Sequence, residues 1–318
     1  MERIGICTLL HFLVDGLCLC CLYLMAASCS ATSFVGVFVL YNVLAFLTQP
    51  LTGLCADRLR EPHWMLLSAV VLLTLAVGIA SAVVAVAGLQ ASRLLILLVA
   101  TMLGAGNSLF HVWGGRQVTL TTDNDMRALG LFVSTGAMGL AVGAVFCSWP
   151  LLYAFLLVLC LLAALYVQRD RQPSATAGGR NAKSSFSLGV IVLAMLALMA
   201  FVMLRSFVGE AFSGGVAKQP RTMLLVVGAV AMLGKMAGGW VARQFGIVPT
   251  LLTVAAVVAL CALMQGRGEA VLLTGLFAVN CTMPVTLYLA NVVLKGREGL
   301  AFGLLAAALI PGYLLAYL

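Results

Sequence analysis

The chain has 318 residues, of which 63% are hydrophobic and only 9% charged, with a mean hydropathy of +1.14. Soluble domains carry about 25% charged residues. This composition therefore excludes a water-soluble enzyme, a disordered chain and a secreted disulfide scaffold, and predicts an integral membrane protein. The formal net charge of +8 does not indicate a nucleic-acid partner, because the basic residues are spread through short loops between apolar runs.

Apolar runs of about 20 residues without two-residue alternation predict membrane-spanning helices and not a β-barrel. In chain order they cover 5–27, 33–55, 64–89, 94–116, 127–147, 150–168, 187–212, 222–243, 247–265, 270–293 and 299–318, eleven spans bounded by charged residues, Gly or Pro. Most connections are a few residues long, so successive helices are antiparallel neighbours. The exception is 169–185, RDRQPSATAGGRNAKSS, which is polar, basic and rich in small residues. It reads as a flexible cytoplasmic linker between a six-helix bundle, 1–168, and a five-helix bundle, 186–318. The expected fold class is all-α integral membrane, with two pseudo-symmetric helical bundles.

Charge placement sets the orientation. With the N-terminus cytoplasmic, Arg3, Arg58, Arg60, Arg127, Arg169, Arg171, Arg180, Lys183, Arg243, Lys295 and Arg297 lie inside, against Arg93, Lys218, Arg221 and Arg267 outside. That excess predicts a multi-pass protein of the cell (inner) membrane with its N-terminus in the cytoplasm. The first span is not a cleavable signal, since it carries His11 and Asp15 and lacks a small-residue cleavage site. Nine of the ten cysteines fall within apolar spans or at their edges and Cys29 stands alone in the first outer loop, so they read as small apolar packing residues, with no metal site and no cofactor implied.

An internal repeat supports the two-bundle division. MLGAGNSLFHV from Met102 aligns with GLFAVNCTMPV from Gly275, matching Asn107 with Asn280 at an offset of 173; the same offset matches Gly130 with Gly303 and Gly139 with Gly312. The fourth and fifth helices thus correspond to the tenth and eleventh. By that offset the partner of the sixth helix falls beyond Leu318. The expectation is a twelve-helix plan lacking its twelfth helix, either as a fragment or as a shortened protein whose exposed flank is covered by lipid or a partner subunit.

After the second helix comes Gly53-Leu-Cys-Ala-Asp57-Arg58-Leu-Arg60, and the equivalent point after the eighth reads Gly239-Trp-Val-Ala-Arg243-Gln-Phe-Gly246. The pattern resembles the duplicated signature loop of the major facilitator superfamily. The resemblance implies a major-facilitator-type fold in which Gly53, Asp57, Arg58, Gly239 and Arg243 govern gating; the alternative is a turn carrying topogenic charge. An anion at a helix N-terminus and a breakable ion pair suit a gate. Within the superfamily, His11-Phe-Leu-Val-Asp15, Ser108-Leu-Phe-His111 with Arg116, Leu204-Arg205-Ser206-Phe207 and Met283-Pro284-Val285-Thr286 are most similar to the fosmidomycin-resistance-type transporters. The fifth helix, Gly136-Ala-Met-Gly139-Leu-Ala-Val-Gly143, lacks the proline of the usual exporter motif.

A charge at mid-membrane costs about 2.5–3.5 kcal/mol even on the lenient insertion scale, so intramembrane charges are functional candidates. Asp15 lies near mid-bilayer and His11 one turn closer to the cytoplasm on the same face. In the superfamily the first, fourth, seventh and tenth helices line the central cavity, and these carry His11 and Asp15; Asn107, His111 and Arg116; Arg205 and Glu210; and Asn280. The expectation is proton coupling through Asp15, His11 and His111, with Asn107, Arg116, Arg205, Glu210 and Asn280 contacting substrate. The competing reading makes Asp15 and His11 a structural pair, Arg116 and Lys235 interfacial anchors, and His111 a satisfied histidine. Arg116 or Arg205 in the cavity favours an anionic or zwitterionic substrate. The function expected is a secondary transporter, not an enzyme, exporting a small molecule at the expense of a proton gradient. The alternatives are a nutrient-uptake permease and a non-transporting receptor or assembly partner.

Overall fold

The computed structural model describes residues 2–26, 31–59, 63–87, 93–169, 185–216, 220–264 and 266–316. Most of the expected linker (170–184), together with Cys29, Arg60 and Lys218, lies outside them. Eleven helical segments follow in the expected order: α1 (Glu2–Ala26), α2 (Ala31–Asn42, continued by Val43–Leu47 and Gln49–Arg58), α3 (His63–Ala87), α4 (Arg93–Thr121), α5 (Met126–Val145), α6 (Trp149–Arg169), α7 (Leu188–Val216), α8 (Met223–Phe245), α9 (Ile247–Leu263), α10 (Glu269–Asn280 and Met283–Val293) and α11 (Glu298–Ala307 and Leu309–Leu315). Ten are long and apolar enough to cross a membrane. The 17-residue α9 is shorter, and at about 1.5 Å per residue it reaches roughly 26 Å, slightly less than the ~30 Å hydrocarbon core.

Three helices are interrupted where the sequence reading expected continuous spans, and each interruption lies three residues before a proline. The π turn Val43–Leu47 precedes Pro50, Cys281 precedes Pro284, and Ala308 precedes Pro311. Proline lacks the N–H that would bond the carbonyl four residues back, and its ring crowds that carbonyl. The helix therefore opens there into a π turn or a break. In α10 the break follows Asn280 directly.

Helices meet through glycines placed against neighbouring backbone. Gly139 of α5 lies on the Phe12 carbonyl of α1, and Gly312 of α11 lies on the Met203 carbonyl of α7. Gly130 of α5 faces the Lys235 carbonyl of α8, while Gly303 of α11 faces the Gln49 carbonyl of α2. The glycines matched by the sequence repeat thus make equivalent contacts in the two halves. Gly53 against the Gly299 carbonyl and Gly239 against the Met126 carbonyl repeat the relation. The α2–α11 and α5–α8 crossings join the halves. With no hydrophobic drive between helices in lipid, such close backbone approach supplies much of the packing. The outer faces carry exposed apolar stripes, Leu157, Leu161 and Leu165 on α6 and Val248, Leu252 and Leu263 on α9, as expected of lipid contact.

A methyl group at Gly139 would overlap the Phe12 carbonyl, whereas one at Gly36 meets nothing within 4 Å. Gly139→Ala is expected to destabilise the protein by about 1–3 kcal/mol and Gly36→Ala to leave it unchanged or slightly more stable, as read from thermal unfolding in detergent. Equal midpoints for the two variants would contradict the packing account.

Candidate functional site

Helical spacing creates the site. α1 sets His11 and Asp15 one turn apart, and α4 sets Asn107 and His111 one turn apart, so two short polar faces meet. His11 Nε2 lies 3.3 Å from Asp15 Oδ2, and His111 Nε2 lies 3.4 Å from Asp15 Oδ1. Asn107 Nδ2 donates to Asp15 Oδ1 at 3.0 Å. The two imidazoles meet edge to face, with centroids 4.6 Å apart. Asp15, Asn107, His11 and His111 are all buried.

The far side of each ring fixes its tautomer. His11 Nδ1 lies 2.7 Å from the Phe132 carbonyl, and His111 Nδ1 lies 2.9 Å from the Asn107 carbonyl. A carbonyl only accepts, so each Nδ1 carries a proton and each Nε2 faces the carboxylate. With both rings neutral, two lone pairs would converge on an anion. Their ligand atoms lie within 4.8 Å of one another, close enough to share a small cation. A proton on Nε2 turns each repulsive approach into a charge-assisted hydrogen bond. The Asn107 Oδ1 also faces inward with no partner among the described residues.

Gly136 of α5 makes room for this cluster: a Cβ there would overlap Asp15 Oδ2 and His11 Nε2. Phe132 stacks on His11 at 4.7 Å, Phe110 lies 6.0 Å from it, and Phe302 of α11 lies 6.3 Å from Phe132. These rings pack around the cluster. In the sequence Gly136 signalled only close helix packing, and nothing marked the Phe132 carbonyl as the orienting acceptor.

The remaining cavity-helix candidates divide. Arg205 is buried on the inward face of α7, and its Nε meets no acceptor among the described residues. Glu210 accepts a hydrogen bond from Ser213 at 3.4 Å. Asn280 turns its amide back to the Leu276 carbonyl of its own helix at 2.8 Å, just before the α10 break. Arg116, expected at the substrate site, is held by Asp57: its Nε lies 3.2 Å from Asp57 Oδ1, with both side chains buried.

Asp57 forms the centre of a lock between the halves. It accepts from the backbone N–H groups of Gly299 and Leu300, each at 2.9 Å, at the start of α11. An anion is favoured at that helix N-terminus, and Arg116 balances it from α4. Gly53 lets α2 approach closely enough for this contact. At the pseudo-equivalent crossing Gly239 abuts Met126, while Arg58 and Arg243 are exposed. Sequence reasoning missed a second set of ties at the same end. Asn291 Nδ2 donates to Thr119 Oγ1 at 3.1 Å and to Asn124 Oδ1 at 2.9 Å, and Asn124 Nδ2 donates to the Tyr288 carbonyl at 3.2 Å. Next to them Asp125 caps α5 and binds Arg127. The halves are therefore fastened at the end bearing Asp57. At the opposite end, Arg221 lies over the Tyr23 ring at 5.6 Å.

Neither a protein-family model nor a curated protein sequence matches the chain. Solved structures do. The fucose:proton symporter of E. coli superposes with a TM-score of 0.70 at 13% identity, covering 99% of this chain and 90% of the symporter. The human organic anion transporter TETRAN gives 0.65 at 18% identity, with 99% and 92% covered. A bacterial homologue of the iron transporter ferroportin, in its outward-facing state, gives 0.62 at 13% identity, with 100% and 91% covered. The chain has the major-facilitator fold. The four helices that the sequence resemblance assigns to a central cavity, α1, α4, α7 and α10, carry the His–Asp–His cluster, Arg205 and Asn280.

Two measurements check the lock. Asp57→Ala leaves two helix N–H groups and a buried guanidinium without their acceptor, a loss on the order of 3–5 kcal/mol. Spin labels at the exposed positions Arg58 and Lys295 should then show a broader, longer distance distribution, and an unchanged distribution would contradict the gate. The Asp125 carboxyl is held below the usual carboxylate range, chiefly by hydrogen bonds from Arg127. Its capping contribution, about 1 kcal/mol, is thus complete above the unfolded-state pKa of about 3.9 and is lost as pH falls through the lower folded-state value. Asp125→Ala should cost that amount at pH 7 and nothing at a pH below the folded-state value, by unfolding at the two pH values.

Proposed function

We propose that this chain is a secondary active transporter that moves a small molecule by alternating access, coupled to protons through His11, Asp15 and His111. The observation that supports this most directly is the orientation of both imidazoles. Each Nδ1 is occupied by a backbone carbonyl, so among the described residues each Nε2 meets the Asp15 carboxylate. Such a cluster gains and loses protons as one unit, with the charge shared between carboxylate and rings. A buried carboxylate with no titrating neighbour would pay the full desolvation cost in its charged state; here the cost is offset whenever a ring is protonated.

The lock supplies the other half of a transport cycle. With the N-terminus and the Asp57 end in the cytoplasm, as the basic residues indicate, the molecule is fastened on its cytoplasmic side. The Phe132 ring packs on His11 and in turn against Phe302 of α11, the helix whose start Asp57 holds. Protons then reach Asp15 from the opposite side, and breaking the Asp57 and Asn291 ties transfers access to the cytoplasm. A proton symporter and an organic anion transporter with the same fold support the transport reading over a receptor or an enzyme. The resemblance to fosmidomycin-resistance-type proteins supports proton-driven export of an anionic or zwitterionic molecule, with Arg205, Asn107 and Asn280 at the substrate. Uptake is the second reading, and the cavity charges described below favour it.

Purified protein in proteoliposomes, challenged with a substrate panel under an imposed pH gradient, tests the proposal. Asp15→Asn is expected to abolish gradient-driven flux while equilibrium exchange of the same substrate persists. Undiminished gradient-driven flux in that variant would remove Asp15 from the coupling role. Binding without flux in the wild type would make the chain a receptor.

A further inference from the structure

Two cations in the second half are left without partners by everything described above. Arg205 sits in the interior of α7, 9% exposed, and makes no hydrogen bond or ion pair with any described residue. Lys235 lies near the middle of α8, where its own carbonyl packs on Gly130 of α5 and the adjacent Gly234 packs on Phe277 and Asn280 of α10. Its ammonium is likewise unengaged among the described residues, within electrostatic reach of Arg205, Asp15 and His111.

The described residues offer no spare acid to balance them. Of its acidic residues only Asp15, Asp57 and Glu210 lie within the spans away from their ends or at the lock. Asp15 already meets His11, His111 and Asn107, and Asp57 is taken by Arg116 and α11. Glu210 is five residues beyond Arg205, about 140° around the helix, and accepts from Ser213. Arg205 is buried and Lys235 partly exposed, and two like charges at membrane depth without a counter-ion are unfavourable unless an anion joins them. In the repeat the Gly53–Gly239 correspondence places Lys235 at the position of Gln49, which is fully buried and bonded to its own helix. The first half fills that position with an uncharged group, so a charge there is not a requirement of the fold.

We propose that Arg205 and Lys235 form a subsite for the anionic group of the transported molecule, a phosphate-, sulfate- or carboxylate-like head. The Arg guanidinium supplies a planar fork and Lys a compact point charge, a combination suited to an oxyanion. The proposal takes its place in the transport cycle from the reading above.

The subsite also fixes the sign of the coupling. Asp15 lies within electrostatic reach of Lys235. The ionisable groups facing this space are His11 and Asp15 from α1, His111 from α4, Arg205 and Glu210 from α7 and Lys235 from α8. Protonating the His–Asp–His cluster makes the cavity more positive, so anion binding tightens as pH falls; by reciprocity, a bound anion tightens proton binding. Proton and anion therefore travel together, and an inward proton gradient drives uptake of the anion.

Equilibrium dialysis of radiolabelled sulfate against the purified full chain in detergent tests this, because the charge on sulfate is constant between about pH 6 and pH 8. Chloride holds the ionic strength and choline serves as the cationic competitor. Expected are saturable sulfate binding that choline does not displace and at least about tenfold weaker binding in Arg205→Gln and in Lys235→Gln. Partial retention is expected in Arg205→Lys and Lys235→Arg, which keep the charge where the Gln variants fail to fold. Wild-type binding should tighten from pH 8 to pH 6, and Asp15→Asn should bind sulfate tightly at both. Absence of saturable binding, or equal affinity in the charge-removing variants, overturns the subsite. Binding that tightens with rising pH overturns the coupling sign. Loss of proton-driven flux in Asp15→Asn with sulfate binding intact speaks only to the transport reading, so the two are separable.

Discussion

The structure depends on one constraint: a carboxylate, Asp15, buried where the surrounding medium is hydrocarbon. Water cannot solvate it there, so every group that touches it must compensate. Two histidines and an asparagine do so, drawn from α1 and α4. Their orientation depends in turn on two backbone carbonyls, one of them from α5. Gly136 supplies the space, because any side chain there would displace the carboxylate and the imidazole together. The position of α5 against α1, set by Gly139 and Gly143, is thus a condition for the cluster as well as for packing.

The same helix carries this constraint across to the second half. α5 contacts α8 through Gly130 and Gly228 as well as α1 through Gly136 and Gly139. The stretch bearing Lys235 is therefore attached to the helix that shapes the Asp15 site. A movement of one half over the other changes the distance between Asp15 and Lys235 without breaking either half internally. In the proposed transport cycle that movement is the rocking of two repeats around a midplane site, with the Asp57 and Asn291 ties holding one extreme. Those ties are hydrogen bonds at a helix end, strong enough to bias the position and few enough to release.

Much of this was legible along the chain because it is written in local periodicity. Apolar length gave the eleven helices, the 173-residue offset gave the duplicated architecture, and i,i+4 spacing placed His11 over Asp15. The glycines matched by that offset proved to occupy equivalent crossings, because close backbone contact leaves few alternatives to glycine. The proline breaks were legible in principle, but their consequence for α2, α10 and α11 was not drawn from the sequence. Arg116 illustrates the opposite limit. Nothing within α4 distinguishes an arginine facing substrate from one facing Asp57, since the deciding partner is 59 residues away.

By itself the sequence determined that the chain crosses a membrane many times, that it is built from two related halves, and which helices carry intramembrane charge. Those properties follow from the cost of exposing polar backbone and charge to lipid, a cost that each segment meets on its own. Only the tertiary structure decided which charges pair. It brought His111 to Asp15 and Arg116 to Asp57, fixed the His11 tautomer through the distant Phe132 carbonyl, and left Arg205 and Lys235 without a counter-ion among the described residues. Pairing is a property of distance in space, and in a bundle of antiparallel helices residues far apart in sequence become neighbours only after every crossing is set.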